Sequence, residues 1–220
     1  MTSQPIRDPV KDPLLTPKNS ALVIIDYQPV QVSSIESMDH RLLVENIVRV
    51  ARTAKTYGLP TVLSTVNVKT GVNKPMIHEL QEVFPGIEPL DRTTINAWED
   101  VEFVKAVKAT GRKKLIMTAL WTEACLTFPS LDAIREGYEV YPVVDAVGGT
   151  SLEAHRAALE RIIQAGAKPV SWVQLICELQ RDWQRNETVT PFVDILFRSR
   201  GIEPQAPAQH PPKTENPIQA

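Results

Sequence analysis

Two cysteines in 220 residues, Cys125 and Cys177, are too few for a disulfide framework, which excludes the stapled secreted scaffolds. Neither sign of charge dominates: Lys and Arg number 24 against 26 Asp and Glu, a net −2 with neutral histidines. Without a block of basic residues the chain has no electrostatic footprint for nucleic acid. Long apolar runs are missing too. The longest, Ala21 to Ile25, is far short of the roughly 20 residues of a spanning helix, so no membrane partner is expected. Residues 1–13 lack the apolar stretch of a signal peptide. Histidine is scarce, and His40, His78, His155 and His210 show no paired ligand spacing, so neither a metal nor another cofactor is expected. What remains is a globular chain, expected in the cytoplasm, long enough to bury roughly 70% of its unfolded surface.

What the chain does have is proline at its edges. Of 18 prolines, four fall in residues 5–17 and five in residues 204–217. Residues 1–18 therefore read as an extended arm, residues 19–200 as one domain without a Gly/Ser linker, and residues 201–220 as a flexible tail. Within the domain, short β-branched runs alternate with helical patterns. Ala21–Ile25, Pro60–Val66, Lys114–Leu120, Tyr138–Val144 and Lys168–Trp172 read as buried parallel strands, with Pro142 and Pro169 moving the last two toward sheet edges. Between them, apolar residues recur at three and four, as in Leu43, Ile47, Val50 and Ala54. Gly58, Gly111, Gly137 and Gly166 each follow such a segment, where a helix end wants a left-handed residue. The alternation predicts a doubly wound α/β sheet with helices on both faces, and sites in that architecture form beyond the carboxyl ends of the strands.

Three residues stand in that place. Asp26 closes the first strand, Cys125 follows the Lys114–Leu120 run, and Arg92 precedes a helix. Thr122-Glu123-Ala124-Cys125 reads as an N-cap threonine with the cysteine in the first helical turn, where the positive helix end lowers a thiol pKa. Pro129, four residues on, has no N–H for the Cys125 carbonyl and should loosen the helix behind the cysteine. Asp26 is then the candidate proton acceptor and Arg92 the candidate positive charge, with Lys113 and Lys114 as rivals at the start of a strand. Cys177 lies on a face with Val173, Ile176 and Gln180 and reads as a packed core cysteine.

Ile24-Ile25-Asp26-Tyr27-Gln28 and Thr122–Cys125 resemble the isochorismatase-like cysteine hydrolases. Ile95-Asn96-Ala97-Trp98, Phe103–Gly111 and Cys177–Trp183 resemble the YcaC-type branch of that superfamily. The resemblance covers about residues 18–186. It implies a six-stranded parallel sheet in a three-layer sandwich, a homo-oligomer (tetramer or octamer) and a small-molecule substrate. It further implies Cys125 as nucleophile, Asp26 as general base, and Arg92 at a position that is usually lysine in the wider superfamily. A cis peptide is implied at Leu120–Trp121, with the N–H groups of Trp121 and Cys125 forming an oxyanion hole, and Thr122, Asn96 and Gln28 about the substrate. Arginine cannot shuttle a proton near neutrality, so Arg92 would act as a fixed charge. Trp121 is large for its position and would wall a pocket or fill a subunit contact. Ser64–Thr70 lacks the Asp-x-His metal motif of nicotinamidases, and a cysteine nucleophile departs from isochorismatase itself. The expected activity is metal-independent hydrolysis of a small amide C–N bond through a thioester. The alternatives are a non-hydrolytic ligand-binding or redox-responsive oligomeric protein on the same fold, or an isochorismatase- or nicotinamidase-type activity.

Overall fold

The computed structural model describes residues 8–204. Residues 1–7 of the expected arm and 205–220 of the expected tail lie outside them. Five parallel strands form the sheet: β1 (Ser20–Ile25), β2 (Thr61–Val66), β3 (Leu90–Arg92), β4 (Lys114–Ala119) and β5 (Glu139–Pro142), in the order β3-β2-β1-β4-β5. β1 is central. It pairs Ile24 with Leu63 on one side and with Thr118 on the other, and all six of its residues are buried. Strand pleating sends alternate residues to opposite faces. Leu22 and Ile24 accordingly join one core, with α2 (His40–Thr56), α3 (His78–Val83), α7 (Trp172–Gln180) and α8 (Asn186–Leu196). Ala21, Val23 and Ile25 join the other, with α4 (Val101–Ala109), α5 (Thr127–Arg135) and α6 (Leu152–Gln164). This is the expected α/β architecture with helices on both faces. One short further helix, α1 (Pro29–Ser33), follows β1.

Five strands replace the six that the resemblance implied. The missing one is Lys168–Trp172, which meets β5 through three backbone bonds, Lys168 N to Val140 O, Val170 N to Pro142 O and Val144 N to Val170 O, and forms a single Val143–Val170 bridge. Pro142 and Pro169 have no N–H to extend that ladder. β3 was not readable as a strand: three residues, Leu-Asp-Arg, carry no alternation, and edge pairing with Ser64–Val66 makes them one. The four helix-ending glycines all take positive φ, from 64° at Gly58 to 110° at Gly166. Cys177 corrects an expectation. The buried stripe of α7 is Trp172, Leu175, Ile176 and Leu179, which leaves Cys177 off the core face and exposed.

Residues 8–18 run through turns and dock on the amino end of the sheet. Buried Lys114, the first residue of β4, donates from Nζ to the carbonyls of Asp12, Pro13 and Leu14 at 2.6, 2.8 and 3.2 Å, and Arg181 pairs with Asp12 at 3.4 Å. Lys114 is thus committed to the end of the strand opposite Cys125, and Lys113 lies over the Tyr138 ring. Lys114→Met should strip three buried carbonyls of their donor at little cost in volume. It is expected to lower the urea midpoint by the equivalent of about 1–3 kcal/mol while leaving the alkylation rate of Cys125 unchanged. A matched loss of Cys125 reactivity would show that Lys114 serves the site after all.

Candidate active site

β1 ends at Ile25, and Asp26 turns the chain with φ 63°, a left-handed conformation that Asp tolerates better than most residues. Its N–H still donates to Ser64 O at 3.0 Å. Arg92, the last residue of β3, reaches across the end of β2 to meet it. The two guanidinium Nη atoms each donate to one carboxylate oxygen of Asp26 at 2.7 Å, a bidentate pair with side chains 1% and 0% exposed. On the way Arg92 also donates to Ser64 Oγ, Thr65 O and Ile95 O. Arg92 Nε is buried with no partner among the described residues.

Cys125 is 7% exposed and lies in a π-turn, Thr122–Leu126, that leads into α5. Leu126 N donates to Trp121 O at 3.1 Å, the wider i to i−5 spacing. Pro129 was expected to loosen this region, and the widened turn stands directly ahead of it. Thr122 does not cap the helix as its position suggested; no side chain caps the turn, and the Thr122 hydroxyl bonds His155 Nδ1 at 2.9 Å instead. The Leu120–Trp121 peptide is cis. The Cys125 thiol hydrogen-bonds to Asp26, and the Trp121 backbone N–H points at the sulfur.

The electrostatic outcome corrects the expectation of a low-pKa thiol. Burial first, then the charge of Asp26 and its hydrogen bond, push Cys125 up to about 12. Arg92 and the Trp121 N–H pull the other way and lose, because Arg92's charge is already neutralised by the carboxylate that repels the thiolate. At rest the nucleophile candidate is a neutral thiol donating to Asp26.

The other expected residues divide. Trp121 is half-buried against the α2 core, with Nε1 donating to Ser34 Oγ at 2.7 Å. Gln28 is fully buried and spends its amide on this chain: Nε2 donates to Val66 O and Lys74 O, and Oε1 accepts from Val66 N. Asn96 does the same, with Nδ2 on Asp132 and Oδ1 accepting from Trp98 N. Both amides brace the loops beyond β2 and β3. Sequence reasoning missed Glu123 and His155. His155 lies on α6, and no local pattern links it to the cysteine turn. Among the described residues no three His, Cys, Asp or Glu side chains gather as a metal site requires, and no helix is long and apolar enough to cross a membrane.

Comparison with known proteins matches this arrangement to one family. The isochorismatase domain matches residues 20–174. The chain is 38% identical over 173 residues to the probable hydrolase YcaC of Escherichia coli K12, covering 78% of this chain and 83% of that protein. A crystal structure of E. coli YcaC, described as an octameric hydrolase of unknown specificity, superposes with TM-score 0.80 at 35% identity, over 86% of this chain and 94% of that one. YcaC from Pseudomonas aeruginosa, solved with hexane-2,5-diol and covalent acrylamide, gives TM-score 0.79 at 36% identity, over 84% and 90% of the two chains. A nicotinamidase of Bacillus subtilis, 16% identical with TM-score 0.58 over 70% of this chain and 100% of that one, shares the fold. With its sheet, its cysteine turn and these matches together, the chain belongs to the isochorismatase-like hydrolase family, in the branch of YcaC.

Proposed function

We propose that the protein is a cysteine hydrolase that cleaves the C–N bond of a small amide through a thioester on Cys125. The observation that carries this reading is the meeting of the Cys125 thiol with a carboxylate, Asp26, that is itself gripped at both oxygens by Arg92. A neutral thiol donating to a carboxylate is poised to lose its proton as the sulfur–carbon bond forms, not before. Asp26 takes that proton while the carbonyl oxygen gathers negative charge. The Trp121 N–H, which already favours negative charge at the sulfur, and the Cys125 N–H are the donors proposed for that oxygen. Asp26 then returns the proton to the leaving amine, and deprotonates the water that hydrolyses the thioester. Arg92 stays charged throughout and fixes the carboxylate.

The covalent acrylamide of the Pseudomonas relative supports the nucleophilic half of the reading, since thiols add to the terminal alkene carbon of acrylamide and leave its amide intact. The octameric E. coli relative supports a homo-oligomer for this chain as well. The redox alternative is disfavoured by the raised thiol, because oxidation follows thiolate character.

Asp26→Asn separates base from charge. Turnover of a panel of small amides should fall by about a hundred- to ten-thousand-fold. Alkylation of Cys125 by iodoacetamide at pH 7 should instead accelerate, because the repelling charge is gone and Arg92 remains. Parallel losses in both assays would remove Asp26 from the role of base. Arg92→Lys should keep partial turnover, whereas Arg92→Ala should abolish it and cost about 3–5 kcal/mol of stability by leaving Asp26 buried and unpaired.

The thiol also leaves a thermodynamic trace. It ionises near its ordinary 9.0 when unfolded and near about 12 when folded. Between those values the unfolded chain holds fewer protons, so stability falls as pH rises. Thermal melts from pH 8 to 11 should therefore drop more steeply for the natural protein than for Cys125→Ala. Equal slopes would place the folded thiol near its ordinary value.

A further inference from the structure

The π-turn that carries Cys125 has little to hold it from within. At its start, Ala124 N and Leu126 N share the one carbonyl of Trp121 at 3.3 and 3.1 Å, and no side chain caps it; at its end the Thr127 N–H reaches Ala124 O and Thr122 O. Further hold comes from outside. Thr122, three residues before Cys125 and fully buried, donates its N–H to Gly148 O at 2.9 Å, its carbonyl accepts from Thr127 Oγ1 at 2.7 Å and from the Thr127 backbone N–H, and its hydroxyl meets His155 Nδ1 at 2.9 Å. The last is the one side-chain bond linking Thr122 to the α6 helix.

That helix is a firm anchor. Ser151 caps it by accepting from Ala154 N at 3.0 Å, and His155 N donates to Ser151 O at 3.1 Å. The loop between turn and helix is packed without slack. A Cβ on Gly149 would lie 2.7 Å from Glu123 Oε2 and 3.0 Å from His155 N, so the loop backbone is wedged between the turn and the start of α6. Glu123 closes the other side, its Oε1 accepting from Thr150 N at 3.0 Å and from Thr150 Oγ1 at 2.6 Å. The charges acting on His155 are Glu123 from the turn and Arg156 from its own helix, and burial holds the imidazole below its ordinary pKa. Near neutrality the Thr122 bond is thus one between neutral groups.

We propose that His155 is a positioning residue of the active site, which through the Thr122 hydroxyl holds the π-turn in the geometry that presents Cys125 to Asp26. The role given to Cys125 rests on the function proposed above; the hold itself does not. Because Thr122 and Cys125 share one short turn, a rotation at the first is carried to the second. Released from His155, the turn lets the thiol move off Asp26 and toward solvent.

The test uses the full-length protein and the variants His155→Phe, His155→Asn, Thr122→Val and the Thr122→Val/His155→Phe double. Iodoacetamide alkylation of Cys125 is followed from pH 6 to 11 by peptide mapping, with exposed Cys177 in the same sample as internal control. In His155→Phe and in Thr122→Val the apparent pKa of Cys125 should fall from about 12 toward 9. Alkylation at pH 8 should then quicken about ten-fold or more, since each pKa unit is a factor of ten in thiolate. The double variant should match the singles, and His155→Asn, whose amide replaces Nδ1, should restore the high value. Cys177 should not respond. Unchanged Cys125 profiles in both single variants, additive effects in the double, or no recovery in His155→Asn would overturn the proposal, whatever the melting temperatures do. Absence of amide turnover by the natural protein would instead count against the proposed hydrolysis, while the alkylation profiles would still decide the role of His155.

Discussion

Everything at the carboxyl end of this sheet is arranged around one buried ion pair, Arg92 with Asp26. Two opposite charges at 1% and 0% exposure are stable only where geometry is good and most remaining donors are met; of those on Arg92, Nε alone has no partner among the described residues. Here the guanidinium spans the end of β2, so one side chain ties the ends of β1, β2 and β3 through Asp26, Ser64, Thr65 and the Ile95 carbonyl. The loops that follow are held to the same task. Gln28 binds the loop after β2, and Asn96 caps the turn after β3. The site is a knot of strand ends before it is a place for a ligand.

The same pair explains why the cysteine rests as a thiol. A lone arginine beside a buried sulfur would favour the thiolate. An arginine already neutralised by a carboxylate leaves the sulfur facing the nearer negative charge, in a place with little water. On the hydrolysis proposed above, the cost of ionising Cys125 is deferred to the moment when a carbonyl carbon is there to receive the electrons. A thiol held in this way is also shielded from idle oxidation, since the thiolate does not accumulate.

What could be read from the residues, and what could not, follows from range. β1, β2 and β4 are six-residue runs buried on their strand pairs, and their composition announces them. Asp26, Cys125 and Arg92 were legible because each stands at a strand end or a helix start. β3 was not, since three residues become a strand only through the edge of β2 that receives them. Cys177 was misplaced because two helical faces a single residue apart look alike until Trp172 and Leu175 choose between them. The pKa of Cys125 and the contact of His155 with Thr122 depend on groups 33 to 99 positions away in sequence, and no window along the chain contains them.

The central strand carries a consequence for how such a chain can change length. β1 serves two separate cores with alternate residues, and Asp26 follows it directly with a left-handed turn. Gaining or losing one residue there would exchange the partners of both helical layers and, in the same stroke, shift the carboxylate off the guanidinium. Growth or trimming is instead open to the connection between β2 and α3, where Val68 to Pro75 is largely solvent-facing and its backbone, beyond local turn bonds of Gly71 and Asn73, is tied to the fold by Asp91 and by Gln28. Descendants of such a sequence can therefore differ freely in this connection while the strand that delivers Asp26 keeps its length.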